Sequence, residues 1–164
     1  MIVCVDACFS QKRRKSKYLD TEFIIASSVF LPPSDISSME HEIAQRKASN
    51  VKRKTPLLPV GDAVLDDCER SFAAAQSSKP KTSKVSFEDT GLMALLCRHD
   101  QVLFLANMKS VGEKQYYVFA LLKALFDGLP GDWTVGVLYD IGCQTNRSCE
   151  KVCYSTAQSY INEL

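Results

Sequence analysis

The chain begins with the run IVCVD at residues 2–6, and a similar run, TVGVLYD, fills residues 134–140 near its other end. Both runs are rich in β-branched residues, which favours β-strands, and each ends in an aspartate, Asp6 or Asp140. If the two strands lie side by side, their carboxylates converge into a pair of hard oxygen ligands suited to Mg²⁺ or Mn²⁺. A single aspartate after a strand more often caps the following turn, so other features must decide between these interpretations.

Composition limits the class of protein. The chain has 164 residues, of which 46% are hydrophobic and 24% charged, as is typical of one globular domain with a buried core. Its net charge of +1 excludes an overall basic field, so any contact with DNA depends on local patches. Two such patches occupy residues 12–17 and 46–54 and hold ten of the 20 basic residues.

The first basic patch is the predicted nucleic-acid-binding segment. Such a run is suited to DNA phosphates, although a nuclear import signal or a solvated loop are alternative interpretations. Its members are Lys12, Arg13, Arg14, Lys15 and Lys17.

The cysteines and the hydrophobic runs indicate the cellular environment. Seven cysteines are scattered through apolar runs, without an export signal before them, so we expect reduced thiols and an intracellular, nuclear protein. Cys143, Cys149 and Cys153 offer soft ligands, but their spacing matches no standard zinc pattern, and zinc is only a secondary hypothesis. No run approaches the ~20 apolar residues of a membrane span, and no phosphate-binding glycine loop is visible, so we expect neither a membrane nor a small-molecule cofactor.

Patterning in the first half of the chain predicts a central strand followed by helices. The first strand, residues 1–10, has few polar interruptions and is predicted to be covered on both faces. A second strand is possible over residues 23–30 and is ended by two prolines. Ser34 or Asp35 can then cap a helix that carries Ile36, Met39 and Ile43 on one face. An exposed loop over residues 46–60, a helix over residues 62–76 and a polar linker over residues 77–83 follow.

The second half predicts a hairpin, a helix, a strand and a last helix. Apolar runs at residues 92–97 and 102–106 flank a short polar break, as in a hairpin, although the leucine-rich first run is also compatible with a helix. The sequence SVGE at residues 110–113 has the form of a capping box, and Gly128 with Pro130 supplies the end of that helix. The last helix is predicted over residues 146–160.

This order of elements is that of an α/β, RNase H-like nuclease core. Such a core is a mixed sheet whose first and fourth core strands are neighbours, each with a metal-binding acid. We predict one partial domain over residues 1–164, with the first core strand at residues 1–10. A helical insertion with the basic loop fills residues 20–88, and residues 89–164 hold the hairpin, the helix, the second aspartate and the final helix.

Several motifs resemble those of Kyakuja-Dileera-Zisupton (KDZ) transposases. They are DTGLMALLCRHD at residues 89–100, GEKQY at residues 112–116 and VLYDIGCQ at residues 137–144, with further similarity at residues 6–14 and 64–72. The resemblance covers residue 1 to about residue 149. It implies a DDE-type transposase core, in which three acids bind divalent metals that activate water or a DNA 3′-hydroxyl for attack on a phosphodiester. Asp6 and Asp140 match the first two acids.

The chain also departs from the family pattern. In the family the third acid lies well downstream of the motif that contains Asp140, whereas the tail at residues 151–164 does not resemble the family continuation. Family members also carry cysteine-rich modules before the first strand. We therefore expect a core truncated at its C-terminus, with weakened Mg²⁺ or Mn²⁺ binding and no activity. Its expected partners are DNA and either full-length transposase or a second copy. The alternative is a non-catalytic protein that binds DNA or a transposase.

Overall fold

A computed structural model describes residues 1–18, 29–48, 86–110 and 112–142, together with residues 63, 66, 67, 70 and 145. This part of the chain contains six strands and two helices, which confirms the α/β class. In chain order they are β1 (Ile2–Cys8), β2 (Arg13–Arg14), α1 (Pro33–Ala48), β3 (Phe87–Asp89), β4 (Gly91–Cys97), β5 (Val102–Met108), α2 (Gln115–Gly128) and β6 (Gly136–Tyr139).

The main sheet is mixed, with the strand order β5-β4-β1-β6. Strand β1 lies in its interior, antiparallel to β4 and parallel to β6. The expected pairing of the first strand with the strand before Asp140 is therefore confirmed. Strands β2 and β3 form a separate two-stranded sheet.

The predicted hairpin is confirmed, because β4 and β5 pair antiparallel along their length. The residues between them form a tight turn in which Asp100 has a left-handed φ of 59°. Aspartate tolerates that conformation better than most residues because its short side chain can bond locally. The helical alternative for residues 92–97 is excluded.

Strand β4 begins against the end of β1, and a glycine makes this approach possible. A Cβ atom at Gly91 would lie 3.0 Å from the carbonyl oxygen of Cys8, closer than side-chain carbons normally come to backbone. Cys8 pairs in register with Leu92, so Gly91 lies where the two strands first meet. The glycine therefore sets the spacing at this end of the sheet.

The core lies on one face of the sheet, between the strands and the two helices. Helix α2 packs against α1 and against β4 and β5. Alternate strand residues point into this layer and are fully buried: Val3, Met93, Leu95, Ala106 and Met108. From the helices, Met39, Ile43, Tyr117, Leu121 and Leu125 complete it.

The prediction that β1 is covered on both faces is wrong. Its second face carries Ile2, Asp6 and Cys8, which are exposed, and Cys4, which is half-buried. The described helices pack on the opposite face, so apolar residues at these positions do not become core. In the sequence, an apolar run without alternation does not distinguish a strand that is covered on both faces from one that is covered on a single face.

Both helices differ from the prediction at their N-terminal or C-terminal ends. Helix α1 begins at Pro33, since proline suits the first helical position, and it continues to Ala48, so the predicted loop cannot begin at residue 46. Helix α2 begins at Gln115 with Lys114 as its N-cap and without a side-chain cap, so the capping box is wrong. The predicted end at Gly128 is confirmed.

Other predictions fall outside the described residues. They concern most of the possible strand over residues 23–30, the loop over residues 49–60, the helix over residues 62–76, the linker over residues 77–83 and the final helix over residues 146–160. Within the helix over residues 62–76, the four described residues are helical. Of the helices that the structure describes, none is long and apolar enough to span a membrane.

Candidate metal centre

The candidate centre lies where the pairing of β1 with β6 stops, although β1 itself continues past Asp6 to Cys8 and was expected to end at Asp6. The parallel register pairs Cys4 with Leu138 and Val5 with Tyr139. The next residues are Asp6 and Asp140, and neighbouring strands are about 4.8 Å apart. The two acids therefore project from the same end of two adjacent parallel strands, although they are far apart in the sequence.

Each acid is held by the backbone of the residue that follows it. The amide of Ala7 donates to Asp6 Oδ1 at 2.7 Å, and the amide of Ile141 donates to Asp140 Oδ1 at 2.8 Å. Both aspartates are exposed. Across the described ranges, no further hydrogen bond or ion pair reaches either carboxylate.

A further acid, Glu113, contacts the last residue of β6 and was missed in the sequence. The hydroxyl of Tyr139 donates a hydrogen bond to Glu113 Oε1. Burial raises the pKa of Tyr139, and so do the hydrogen bond to Glu113 and the nearby charges of Asp140 and Asp6. The sequence assigned Glu113 to a capping box, and its position gives no local sign of a partner 26 residues away.

The donor set suits a hard divalent cation. Carboxylate oxygens are the preferred ligands of Mg²⁺, which is often bound by one or two carboxylates, with waters and substrate phosphates completing its shell. No group of three His, Cys, Asp or Glu side chains in the described residues could hold a metal ion. As a pair of carboxylates, Asp6 and Asp140 have the donor chemistry that Mg²⁺ prefers. Their role as ligands remains a prediction.

The predicted nucleic-acid-binding segment, residues 12–17, is called the basic segment from here on. It follows shortly after β1, and its five predicted DNA-binding residues are exposed. Arg13 differs from the others, because its Nε donates to Asp89 Oδ2 at 2.6 Å and its second nitrogen lies 3.1 Å from Glu88. Hydrogen bonding to Asp89 raises the pKa of Arg13. Lys12 Nζ lies 5.6 Å from the ring centre of Phe87. DNA binding by this segment stays a prediction, with Arg13 already engaged in ion pairs.

Asp89 is the buried member of this ion pair. Its side chain is 5% exposed, and Oδ1 has no hydrogen-bond partner within the described residues. The Arg13–Asp89 contact joins β2 to β3 and lies beyond the end of β1. It holds the start of the basic segment against the body of the protein.

The remaining candidates do not extend the centre. Cys143, Cys149 and Cys153 lie outside the described residues, so the zinc hypothesis stays a prediction. His99 is an exposed turn residue that accepts a hydrogen bond from Arg98 Nε at 3.2 Å. His99 is therefore a surface imidazole bonded to its neighbour.

Comparison with known families agrees with the sequence motifs. The model of the family described as Kyakuja-Dileera-Zisupton transposase matches residues 1–162. The match extends past residue 149, so the prediction that the tail falls outside the family was wrong. Neither a curated protein nor a solved structure matches the chain.

Proposed function

The chain belongs to the Kyakuja-Dileera-Zisupton transposase family, and we propose that it carries a DDE-type catalytic core with an RNase H-like fold. In this proposal Asp6 and Asp140 are the first two acids of a divalent-cation site that acts on DNA phosphodiesters. The main support for the proposal is the parallel pairing of β1 and β6, because Asp6 and Asp140 directly follow the paired residues Val5 and Tyr139. The sheet order supports the fold, because the first core strand lies beside the strand that leads to the second acid.

The two aspartates would hold the cation through the oxygens that the backbone does not engage. When bound, Mg²⁺ or Mn²⁺ supplies Lewis-acid polarisation of a phosphodiester and lowers the pKa of the attacking water or 3′-hydroxyl. The amides of Ala7 and Ile141 fix one oxygen of each carboxylate and thereby orient the other. Because the acids are exposed, a DNA strand can reach the edge of the sheet.

The basic segment would guide DNA to this edge. Lys12, Arg14, Lys15 and Lys17 are exposed on the stretch that leaves the end of β1. Lysine and arginine contacts to phosphates give affinity without sequence preference and weaken as salt rises. The same run is suited to nuclear import, so we propose a nuclear location.

We expect low activity from this site alone. The proposed site has two carboxylates, and the described residues contain no group of three ligand side chains, whereas a DDE reaction uses three acids and loss of one member of such a unit removes most of the rate. Cation affinity should be correspondingly weak. A metal-binding measurement therefore tests the proposal more sharply than DNA cleavage.

The test compares Mn²⁺ binding in the wild-type chain, Asp6→Asn, Asp140→Asn and the control Asp132→Asn. Asparagine keeps an oxygen for the backbone amide and removes the charge. Asp132 is exposed and precedes β6, at the opposite end of that strand. We expect about tenfold or greater loss of Mn²⁺ affinity in the two site variants and none in the control. Equal affinity in all four chains would overturn the metal centre.

The second candidate function is non-catalytic binding to DNA or to a transposase. It is favoured by the exposed basic segment and by the absence, among the described residues, of a group of three side chains that could hold a metal ion. The discriminating measurement is nicking of supercoiled DNA with Mn²⁺ or with chelator. Slow Mn²⁺-dependent nicking that Asp6→Asn abolishes supports the catalytic core. Salt-sensitive DNA binding that neither Mn²⁺ nor Asp6→Asn changes, without nicking, supports the second function.

A further inference from the structure

The side chains of Tyr139 and Glu113 connect two segments that meet beside the candidate metal centre. Tyr139 is the last residue of β6, and its hydroxyl donates to Glu113 Oε1. Glu113 lies just before α2 and follows Gly112, whose φ of 79° is a left-handed conformation suited to glycine. The contact therefore ties the end of a strand to the entrance of the helix that covers the core.

The surroundings of this hydrogen bond and the charge of its acceptor both strengthen it. Both side chains are half-buried, and Tyr139 packs against the hydrophobic core. A hydroxyl that donates to a carboxylate forms a charge-assisted bond, which is stronger than a bond between neutral groups. Partial burial strengthens such a bond relative to a fully exposed one, so the link favours one arrangement of the two segments.

The link lies next to the candidate ligands. Tyr139 pairs with Val5, and the residues that follow these two are Asp140 and Asp6. Strand β6 has four residues and lies at the edge of the sheet, with β1 as its neighbour. The side chain of Tyr139 therefore gives a second anchor to the backbone from which Asp140 projects.

We propose that Glu113 is a positioning residue for Asp140 and acts through the hydroxyl group of Tyr139. The inference rests on the proposed function, because it assigns a role at the same site. Ligands of a working site must be held within about 0.5 Å of the productive geometry. Residues that orient metal ligands typically change metal affinity by about 10- to 100-fold when they are replaced.

The test measures the Mn²⁺ dissociation constant of the full chain, by the electron paramagnetic resonance signal of free Mn²⁺. The variants are Tyr139→Phe, Glu113→Ala, the double variant and Glu113→Gln. We expect about tenfold weaker binding in each of the first two. The double variant should be no weaker than either, because both changes break one link. Glu113→Gln keeps an acceptor oxygen and should remain within about threefold of the wild type.

A matched control separates positioning from a general loss of stability. The hydroxyl of Tyr117 accepts hydrogen bonds from the backbone amides of Lys109 and Ser110 at 2.8 and 3.1 Å. These two residues lie at the start of the connection between β5 and α2, whereas Glu113 lies at its end. Tyr117→Phe should lower the thermal unfolding temperature and leave the Mn²⁺ affinity unchanged. Thermal unfolding of every variant establishes that each is folded at the temperature of the titration.

The outcomes distinguish this inference from the proposed function. If Asp140→Asn loses Mn²⁺ while Tyr139→Phe and Glu113→Ala bind it like the wild type, the positioning role is wrong and the metal centre stands. Additive losses in the double variant, or a Glu113→Gln variant as weak as Glu113→Ala, show that Glu113 does not act through Tyr139. If Asp140→Asn binds Mn²⁺ like the wild type, both proposals fail.

Discussion

Arg13 belongs to the basic segment in sequence but differs from its neighbours in environment. Its guanidinium is paired with Asp89 and Glu88, and Asp89 is buried. A buried carboxylate that loses its partner is costly, because water does not replace the lost hydrogen bond. Arg13 therefore acts first as the partner of Asp89, while Arg14 has an exposed side chain available for phosphates.

Replacing Arg13 and Arg14 separately should give different phenotypes. Arg13→Ala leaves Asp89 unpaired and should lower the free energy of unfolding by about 2 kcal/mol. Arg14→Ala should change stability by less than about 0.5 kcal/mol and weaken DNA binding, with a shallower dependence on salt. Urea unfolding and DNA titrations at several salt concentrations measure these effects. Equal stability of the two variants would contradict the assignment.

Tyr139 should make the stability of the protein sensitive to high pH. Burial and the hydrogen bond to Glu113 raise its pKa, so the native state keeps a proton that the unfolded chain releases near about pH 10. The contribution of this group is complete below about pH 10 and is lost as the pH rises further. Unfolding temperatures measured from about pH 8 to 11 should fall more steeply for the wild type than for Tyr139→Phe. Parallel profiles would argue against the effect.

At the scale of the elements, helix α2 has an incomplete N-terminus. Lys114 occupies the N-cap with an extended backbone, φ −103° and ψ 135°, but its side chain caps nothing. The side chain of lysine has no acceptor atom, so it cannot accept a hydrogen bond from the first turn, where the amide of Tyr117 bonds the carbonyl of Lys114 at 3.1 Å. The backbone already has the conformation that a capping residue adopts.

Lys114→Ser should therefore stabilise the protein. A serine at the N-cap can accept a hydrogen bond from the first turn, with a gain of about 1 kcal/mol in the free energy of unfolding. Lys109→Ser is the control, since Lys109 is exposed and lies outside the helix. Urea unfolding of both variants provides the measurement. A Lys114→Ser variant no more stable than the control would show that the amides are satisfied in another way.

The elements that could be predicted are those whose pattern is local. The hairpin β4–β5 and the body of α2 follow from apolar periodicity, as does the end of β6 just before Asp140, whereas β1 continues past Asp6 to Cys8. The start of α2 could not be predicted, because the residues of the apparent capping box bind elsewhere. The Ser110 hydroxyl lies 3.3 Å from the Tyr117 hydroxyl, and Glu113 accepts from Tyr139. Such contacts between distant residues leave no periodic sign in a sequence.

For the molecule as a whole, the proposed metal centre would concentrate the negative charges of Asp6 and Asp140 at one place. Like charges at short range destabilise the folded state, and a cation that binds only the folded state offsets this cost. The net charge of +1 does not reveal this local imbalance. The stability of the entire fold should therefore respond to divalent cations.

Mn²⁺ should raise the unfolding temperature of the wild-type chain relative to a sample in chelator. A concentration tenfold above the dissociation constant adds about 1.4 kcal/mol, or roughly 4 °C for a chain of this size. Asp140→Asn should be at least as stable as the wild type in chelator, because one of the like charges is gone, and should show no shift with Mn²⁺. Scanning calorimetry of both chains measures this. An equal shift in the variant would place the cation elsewhere.

The parallel pairing of β1 with β6 also has a consequence for biosynthesis. Strand β1 must wait for residues 136–139 before its neighbour β6 exists, and the amino group of Met1 bonds the carbonyl of Thr134 at 2.7 Å. Contacts between such distant residues form late and slowly. A nascent chain therefore displays Asp6 without Asp140 until residues 136–140 have been made, and the chemistry proposed for this pair is withheld until then.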